Sequence, residues 1–205
     1  MLKRSRMIEL KKVIEISKSF YDNNNSENDF DDYQEHVIMV GACASVIASA
    51  CGLDVKKAGL MGYCHDIGKL ISDEKKEKTF HGLVGYEYFK SIHEDEIAQI
   101  CLSHSFPCKN FSIGEYIGYG EDNILKAKKI LDNLTLTDYD VIIQLSDLLV
   151  CISSYVNLKT RMDYIEKVYS IDKEFIRRKY KNAIHLKKYI ENKYNCNIYQ
   201  LLGIK

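Results

Sequence analysis

The feature that most constrains this chain is the period of its apolar residues. They recur every three to four positions, and the alternating Val/Thr/Tyr runs of half-buried strands are almost absent. Ile97, Ile100 and Cys101 show the pattern, forming one apolar face of a helix. The predicted fold class is all-α. At 205 residues, with 46% hydrophobic and 28% charged residues, the chain is long enough for one large core and is neither disordered nor collagen-like.

The helices can be placed from their start and stop signals. YDNNNSENDFDD, residues 21–32, combines turn formers with acids and reads as a loop leading into a helix over Tyr33–Cys51. Gly52 suits a left-handed helix end, and Asp54 can cap the next helix, Val55–Cys64. Ser72–Lys78 is predicted as a loop, followed by helices over Phe80–Ile92 and Asp95–His104, the second run ended by Pro107. Residues 107–120, with Phe111, Tyr116 and Tyr119 among Gly, Ser and Asn, read as a loop able to cover a site. Further helices are expected near Ile124–Leu131, over Asp138–Val156 with Asp138 as N-cap, and over Asp172–Tyr194 with a packing stripe of Phe175, Ile176, Tyr180 and Ile184. The organisation expected is an N-terminal helix and loop (1–30), a helical core (31–157) and a C-terminal helical extension packed on it (158–205).

Twenty-nine basic and 29 acidic side chains give zero formal charge, which disfavours a polynucleotide partner. Seven Cys without a CxxC pair, several in apolar helical runs, point to a reducing cytoplasm. Lys and Glu scattered through the first 20 residues argue against a secretory signal. VIMVGACASVIASACGL, residues 37–53, lacks charge, but its small residues fit a close-packed buried helix better than a lipid span. No membrane partner is expected, and a homodimer is compatible with the sequence.

The chemistry is carried by His36, His65, Asp66, His81, His104 and Asp147. His65 and Asp66 close an apolar helix, AGLMGYC, and an adjacent imidazole and carboxylate there need a compensating cation or another partner. Asp147 lies in VIIQLSDLLVCI, where an unpartnered carboxylate would cost several kcal/mol. Imidazole and carboxylate ligands without thiolates suit one or two divalent ions of Fe, Mn, Co, Ni or Zn. Lys69 projects to the side of His65 and Asp66 and can hold a phosphate oxygen, with Gly68 keeping the approach open, or it is a solvent-exposed cation favoured by the helix end. His93 and His185 read as surface or packing residues, Arg161 as able to reach an anionic substrate but more simply half of an exposed salt bridge, and Cys64 as a core residue.

The ordered set His36, His65-Asp66, Asp147 resembles the HD-domain superfamily of metal-dependent phosphohydrolases over about residues 30–156. The resemblance implies an HD helical bundle with a C-terminal helical extension and a metal held by those four residues. His81 in FHGLVGYEYF and His104 in LSHSFP look like the extra histidines of the binuclear branches, in which Asp66 would bridge two ions. HDIGK is similar to HD-type cyclic di-GMP phosphodiesterases, although SFP stands where those have a GYP triplet; HGLVG is more similar to HD-type symmetrical diadenosine tetraphosphatases. The expected activity is hydrolysis of a phosphoester or phosphoanhydride in a small phosphorylated substrate, a nucleotide, with Asp66 and Lys69 as catalytic residues. An HD-type diiron oxygenase uses a similar ligand series and is the alternative, as is a non-catalytic nucleotide-sensing module.

Overall fold

The computed structural model describes residues 7–24, 29–72, 79–110, 119–169 and 172–205. Helix α1, Leu10–Asn24, is followed by α2, Phe30–Ala50, so the loop expected over 21–32 is shorter on both sides. The reason lies in Asp29, whose carboxylate accepts the Asp31 and Asp32 backbone N–H groups and starts α2 three residues before Tyr33. Tyr21 and Phe30, ring centroids 4.7 Å apart, hold the two helix ends together. Residues 25–28 lie outside the described residues.

Small residues decide how α2 meets α3, Val55–Cys64. A Cβ at Gly62 would fall 2.7 Å from the Gly41 Cα, and one at Gly41 would fall 2.8 Å from the Gly59 carbonyl oxygen, so the backbones cross in direct contact. Charge-free residues of α2 such as Val40, Cys43, Ala44 and Ile47 are fully buried at this crossing, as the small-residue reading expects. The turn between the helices uses Gly52 at φ +65°, and Asp54 accepts the Lys57 N–H.

A short helix α4, Gly68–Ile71, precedes α5, His81–Ser91, and α6, Asp95–Ser103. Of the predicted 72–78 loop, residues 73–78 lie outside the described residues. So do 111–118 of the 107–120 loop, with Phe111 and Tyr116; Pro107–Lys109 form a 3-10 turn. Phe80, Leu83, Leu102, Phe106 and Leu131 make a second small core between α5, α6 and α7, Glu121–Asn133.

Helix α8, Asp138–Leu149, carries two corrections. Its N-cap is Thr137, which forms a capping box with Asp140, while Asp138 instead accepts bonds from Tyr189, Lys193 and Tyr194. The helix also stops seven residues before Val156. An antiparallel hairpin follows, β1 (Val150–Cys151) paired with β2 (Ser154–Tyr155), closed by the Val156 N–H donating to the Leu149 carbonyl. Its turn forces Ile152 to φ 53°, a strained conformation for a β-branched residue.

Helix α9, Leu158–Tyr169, lies within the expected 158–205 helical extension, where the sequence places a helix only from Asp172. It buries Leu158, Met162 and Ile165 at i, i+4, i+7 spacing, and Asn157 accepts the Thr160 N–H at its start. Helix α10, Lys173–Tyr194, is capped by Asp172 and ended by left-handed Asn195. Of the expected stripe, Ile176 is buried and Phe175 and Ile184 pack half-buried against the core, while Tyr180 is exposed; the buried face runs Ile176, Ala183, Leu186 and Ile190, a spacing of seven, three and four residues. Helix α11, Ile198–Leu201, is the last described helix. The architecture is all-α apart from the one hairpin, and no described helix is long and apolar enough to cross a membrane.

Candidate metal centre

Helix ends deliver the predicted ligands to one place. His65 is the C-cap of α3 and His104 the C-cap of α6; His81 opens α5, Asp147 sits in the last turn of α8, and His36 in the second turn of α2. These five surround the carboxylate of the sixth, Asp66. Its Oδ2 lies 3.5 Å from His36 Nε2 and 3.4 Å from His65 Nε2. Its Oδ1 lies 3.1 Å from His81 Nε2 and 3.3 Å from His104 Nε2. Asp147 Oδ1 joins the first pair, 3.3 Å from His36 Nε2 and 3.9 Å from His65 Nε2. Two groups, His36/His65/Asp66 and Asp66/His81/His104, each bring three ligand atoms within 4.8 Å of one another.

The tautomers are fixed from behind. His65 Nδ1 lies 2.6 Å from the Gly62 carbonyl oxygen and His104 Nδ1 2.8 Å from that of Cys101, so in each neutral ring Nδ1–H donates and Nε2 presents a lone pair to the centre. Burial pushes His65 down to about 3, which keeps that ring neutral. Burial works against charge on Asp66, but the Lys69 ammonium, then His65 and His81, hold its carboxyl well below the usual carboxylate range. The same contest at Asp147 is won by the hydrogen bond and charge of His36, with His65 and Arg161 adding to it.

The result is a set of acceptors facing acceptors. His65 Nε2 and Asp66 Oδ1 are buried without a hydrogen-bond partner among the described residues. Such orphaned groups cost about 1–3 kcal/mol each, and a cation between them removes the penalty. Anionic oxygen and neutral imidazole form a donor set that fits a divalent transition metal.

Lys69 Nζ stands 2.5 Å from Asp66 Oδ2, on the side the sequence predicts. Gly68 serves a different purpose from the one expected: a Cβ there would meet the His81 carbonyl oxygen at 2.0 Å, so it admits the start of α5, not a substrate. Cys64 is fully buried core, and His93 and His185 are exposed and take no part.

A cavity of about 780 Å³ opens over the centre. Phe80 and Tyr119, ring centroids 6.0 Å apart, form part of its wall, and Ser105 Oγ lies 3.1 Å from His104 Nε2. Arg161, read from sequence as an exposed salt bridge, lines this cavity, as do Tyr164, Phe175 and Lys179. The i, i+4, i+7 spacing of Leu158, Met162 and Ile165 was the signal that would have placed Arg161 and Tyr164 on a helix flank.

Residues 33–150 match the HD domain family. The chain belongs to that family. HD domains bind divalent metals, and the His/Asp groups here could hold one. Among relatives, ribonuclease Y of Mycoplasma capricolum subsp. capricolum is 43% identical over 67 residues, covering 33% of this chain and 13% of that protein. Ribonuclease Y of Mesoplasma florum is 33% identical over 108 residues, 52% of this chain and 21% of the relative. That of Nitratidesulfovibrio vulgaris strain DP4 is 28% identical over 139 residues, 67% of this chain and 24% of the relative. The chain thus spans no more than about a quarter of the length of these relatives. No solved structure matches.

Proposed function

We propose that the chain is a metal-dependent phosphohydrolase that cleaves a phosphoester or phosphoanhydride of a small nucleotide, with two divalent ions on opposite sides of Asp66. His36, His65, Asp66 Oδ2 and Asp147 would hold one ion; Asp66 Oδ1, His81 and His104 would hold the other. Fe, Mn, Co, Ni and Zn all suit these donors. The observation that carries this reading is the pair of buried, unpartnered ligand atoms, His65 Nε2 and Asp66 Oδ1, aimed into one centre.

Bound divalent ions polarise a phosphoryl oxygen and make water a nucleophile near neutral pH. The chain's own residues do the rest. The Gly62 and Cys101 carbonyls hold the His65 and His104 rings so that Nε2 faces the reaction. Lys69, beside Asp66, is placed to neutralise charge growing on the phosphate. Phe80 and Tyr119 give the cavity an apolar wall that limits water.

The cavity is of a size that encloses a nucleotide. Asp32 and Glu35 on its rim and the zero formal charge of the chain oppose a long polyanion. RNA is the second reading, favoured by the similarity to proteins named ribonuclease Y. Seven free thiols support a reducing compartment, the cytoplasm.

The test is elemental analysis of fresh protein followed by anaerobic assay against mononucleotides, dinucleotides and a short RNA. Hydrolysis of a small nucleotide, read as new nucleotide products or free phosphate, supports the reading. Turnover that requires dioxygen would establish an oxygenase, cleavage of the RNA alone would establish the second reading, and tight nucleotide binding without turnover in any metal would make the chain a sensing module.

A further inference from the structure

The wall that closes the cavity beyond the metal centre comes from outside the family match. Arg161 and Tyr164 reach it from α9, and Phe175 and Lys179 from α10, all past residue 150. Taking the phosphohydrolase reading as given, we propose that Arg161 and Lys179 form a second anion subsite, which holds a phosphate of the substrate other than the one cleaved.

Arg161 is the anchor of this inference. Its Nε is buried and has no hydrogen-bond partner among the described residues. A guanidinium offers five donors in one plane, and an Nε–H left unmade beside a cavity is met by an oxygen of a ligand entering there. The Tyr164 ring, 5.7 Å from the guanidinium carbon, holds the plane in place. The charge of Arg161 also acts on Asp147, so the subsite adjoins the metal centre on its Asp147 side. Lys69 is occupied on the other side, at Asp66.

Lys179 supplies the second cation from a separate helix. It stands one turn from Phe175, with Nζ 5.9 Å from that ring. Asp32 and Glu35 on the rim repel anions, which leaves the Arg161–Lys179 wall as the favourable place for a second phosphate. A centre for one phosphate and two cations for another select a nucleotide with at least two linked phosphates over a monophosphate.

The experiment is titration calorimetry of the metal-loaded full chain with the non-hydrolysable α,β-methylene analogue of ADP and the phosphonate analogue of AMP, which stand in for ADP and AMP so that nothing turns over. ADP is expected to bind at least about tenfold tighter than AMP, the ratio one charge-assisted contact supplies. Arg161→Ala should erase that preference, weakening ADP about tenfold and AMP less than about twofold, and Arg161→Lys should restore part of it. If Arg161→Ala does not fold, Lys179→Ala should weaken ADP about threefold, with AMP little changed. Equal weakening of both ligands, or of neither, overturns the subsite. So does a loss confined to a short RNA, which would assign the wall to a polymer. A wild-type protein that hydrolyses no nucleotide defeats the hydrolase reading, whatever the ADP preference; hydrolysis without an ADP preference defeats the subsite alone.

Discussion

The ammonium of Lys69 stands 2.5 Å from Oδ2 of Asp66, the oxygen that also faces His36 and His65. A cation already neutralises the carboxylate, so a metal arriving at Oδ2 must displace it. Lys69→Met is therefore expected to bind Mn or Zn more tightly, by about three- to tenfold, in competition with a chromophoric chelator. The same variant should lose roughly 10²-fold in kcat/KM on a nucleotide, the usual cost of one missing electrostatic contact in phosphoryl transfer. Weaker metal binding with unchanged turnover would reduce Lys69 to a structural counter-ion.

The division of Asp66 between two histidine pairs predicts a metal count. His81 and His104 face Oδ1, while His36, His65 and Asp147 gather on the side of Oδ2. Elemental analysis should give about two ions per chain in the wild type, about one in His81→Ala and none in Asp66→Ala. Helical circular dichroism should survive in Asp66→Ala, since the core is built from other residues. A count of one in the wild type that His81→Ala leaves unchanged would confine the centre to the other side.

The gathering of these six side chains was legible because they fall at helix ends or on apolar helix faces, which leaves few alternatives to a shared partner. The α2–α3 crossing was legible from Gly and Ala for a similar reason. The end of α8 was not. VCISSYV has the apolar content of either a helix or a hairpin, and only the bond from the Val156 N–H to the Leu149 carbonyl decides it. Asp138 was misassigned because its competing partners, Tyr189, Lys193 and Tyr194, lie more than fifty residues away in sequence. Arg161 was misread because α9 was not anticipated, and a side chain cannot be aimed without its helix.

Stability should depend on pH through His65. Burial lowers its pKa from 6.5 to about 3. Between those values the unfolded chain binds a proton that the folded chain refuses, so stability falls as pH drops from about 6.5 towards 3 and is fully present above 6.5. The depressed carboxyl of Asp66 acts in the same sense below the ordinary carboxylate range. Urea melts of chelated protein should show a loss of a few kcal/mol between pH 7 and pH 4, and His65→Gln should flatten the upper part of that slope. A stability that stays level or rises on acidification would mean that His65 titrates freely.

Gly68 couples the backbone to the centre. An added Cβ would lie 2.0 Å from the His81 carbonyl oxygen and 2.7 Å from the carbonyl carbon, contacts that a side-chain rotation cannot relieve. Gly68→Ala must push the start of α5 outward, and His81 with it, away from its 3.1 Å approach to Asp66 Oδ1. The expected cost is about 1–3 kcal/mol in chemical denaturation, together with loss of the ion on the His81 side. Gly52→Ala is the matched comparison: its Cβ meets open space, but its φ of +65° makes it cost about 1–2 kcal/mol while leaving the metal count intact. If both variants lost stability equally and kept the same number of ions, the close packing at Gly68 would not be what sets the position of His81.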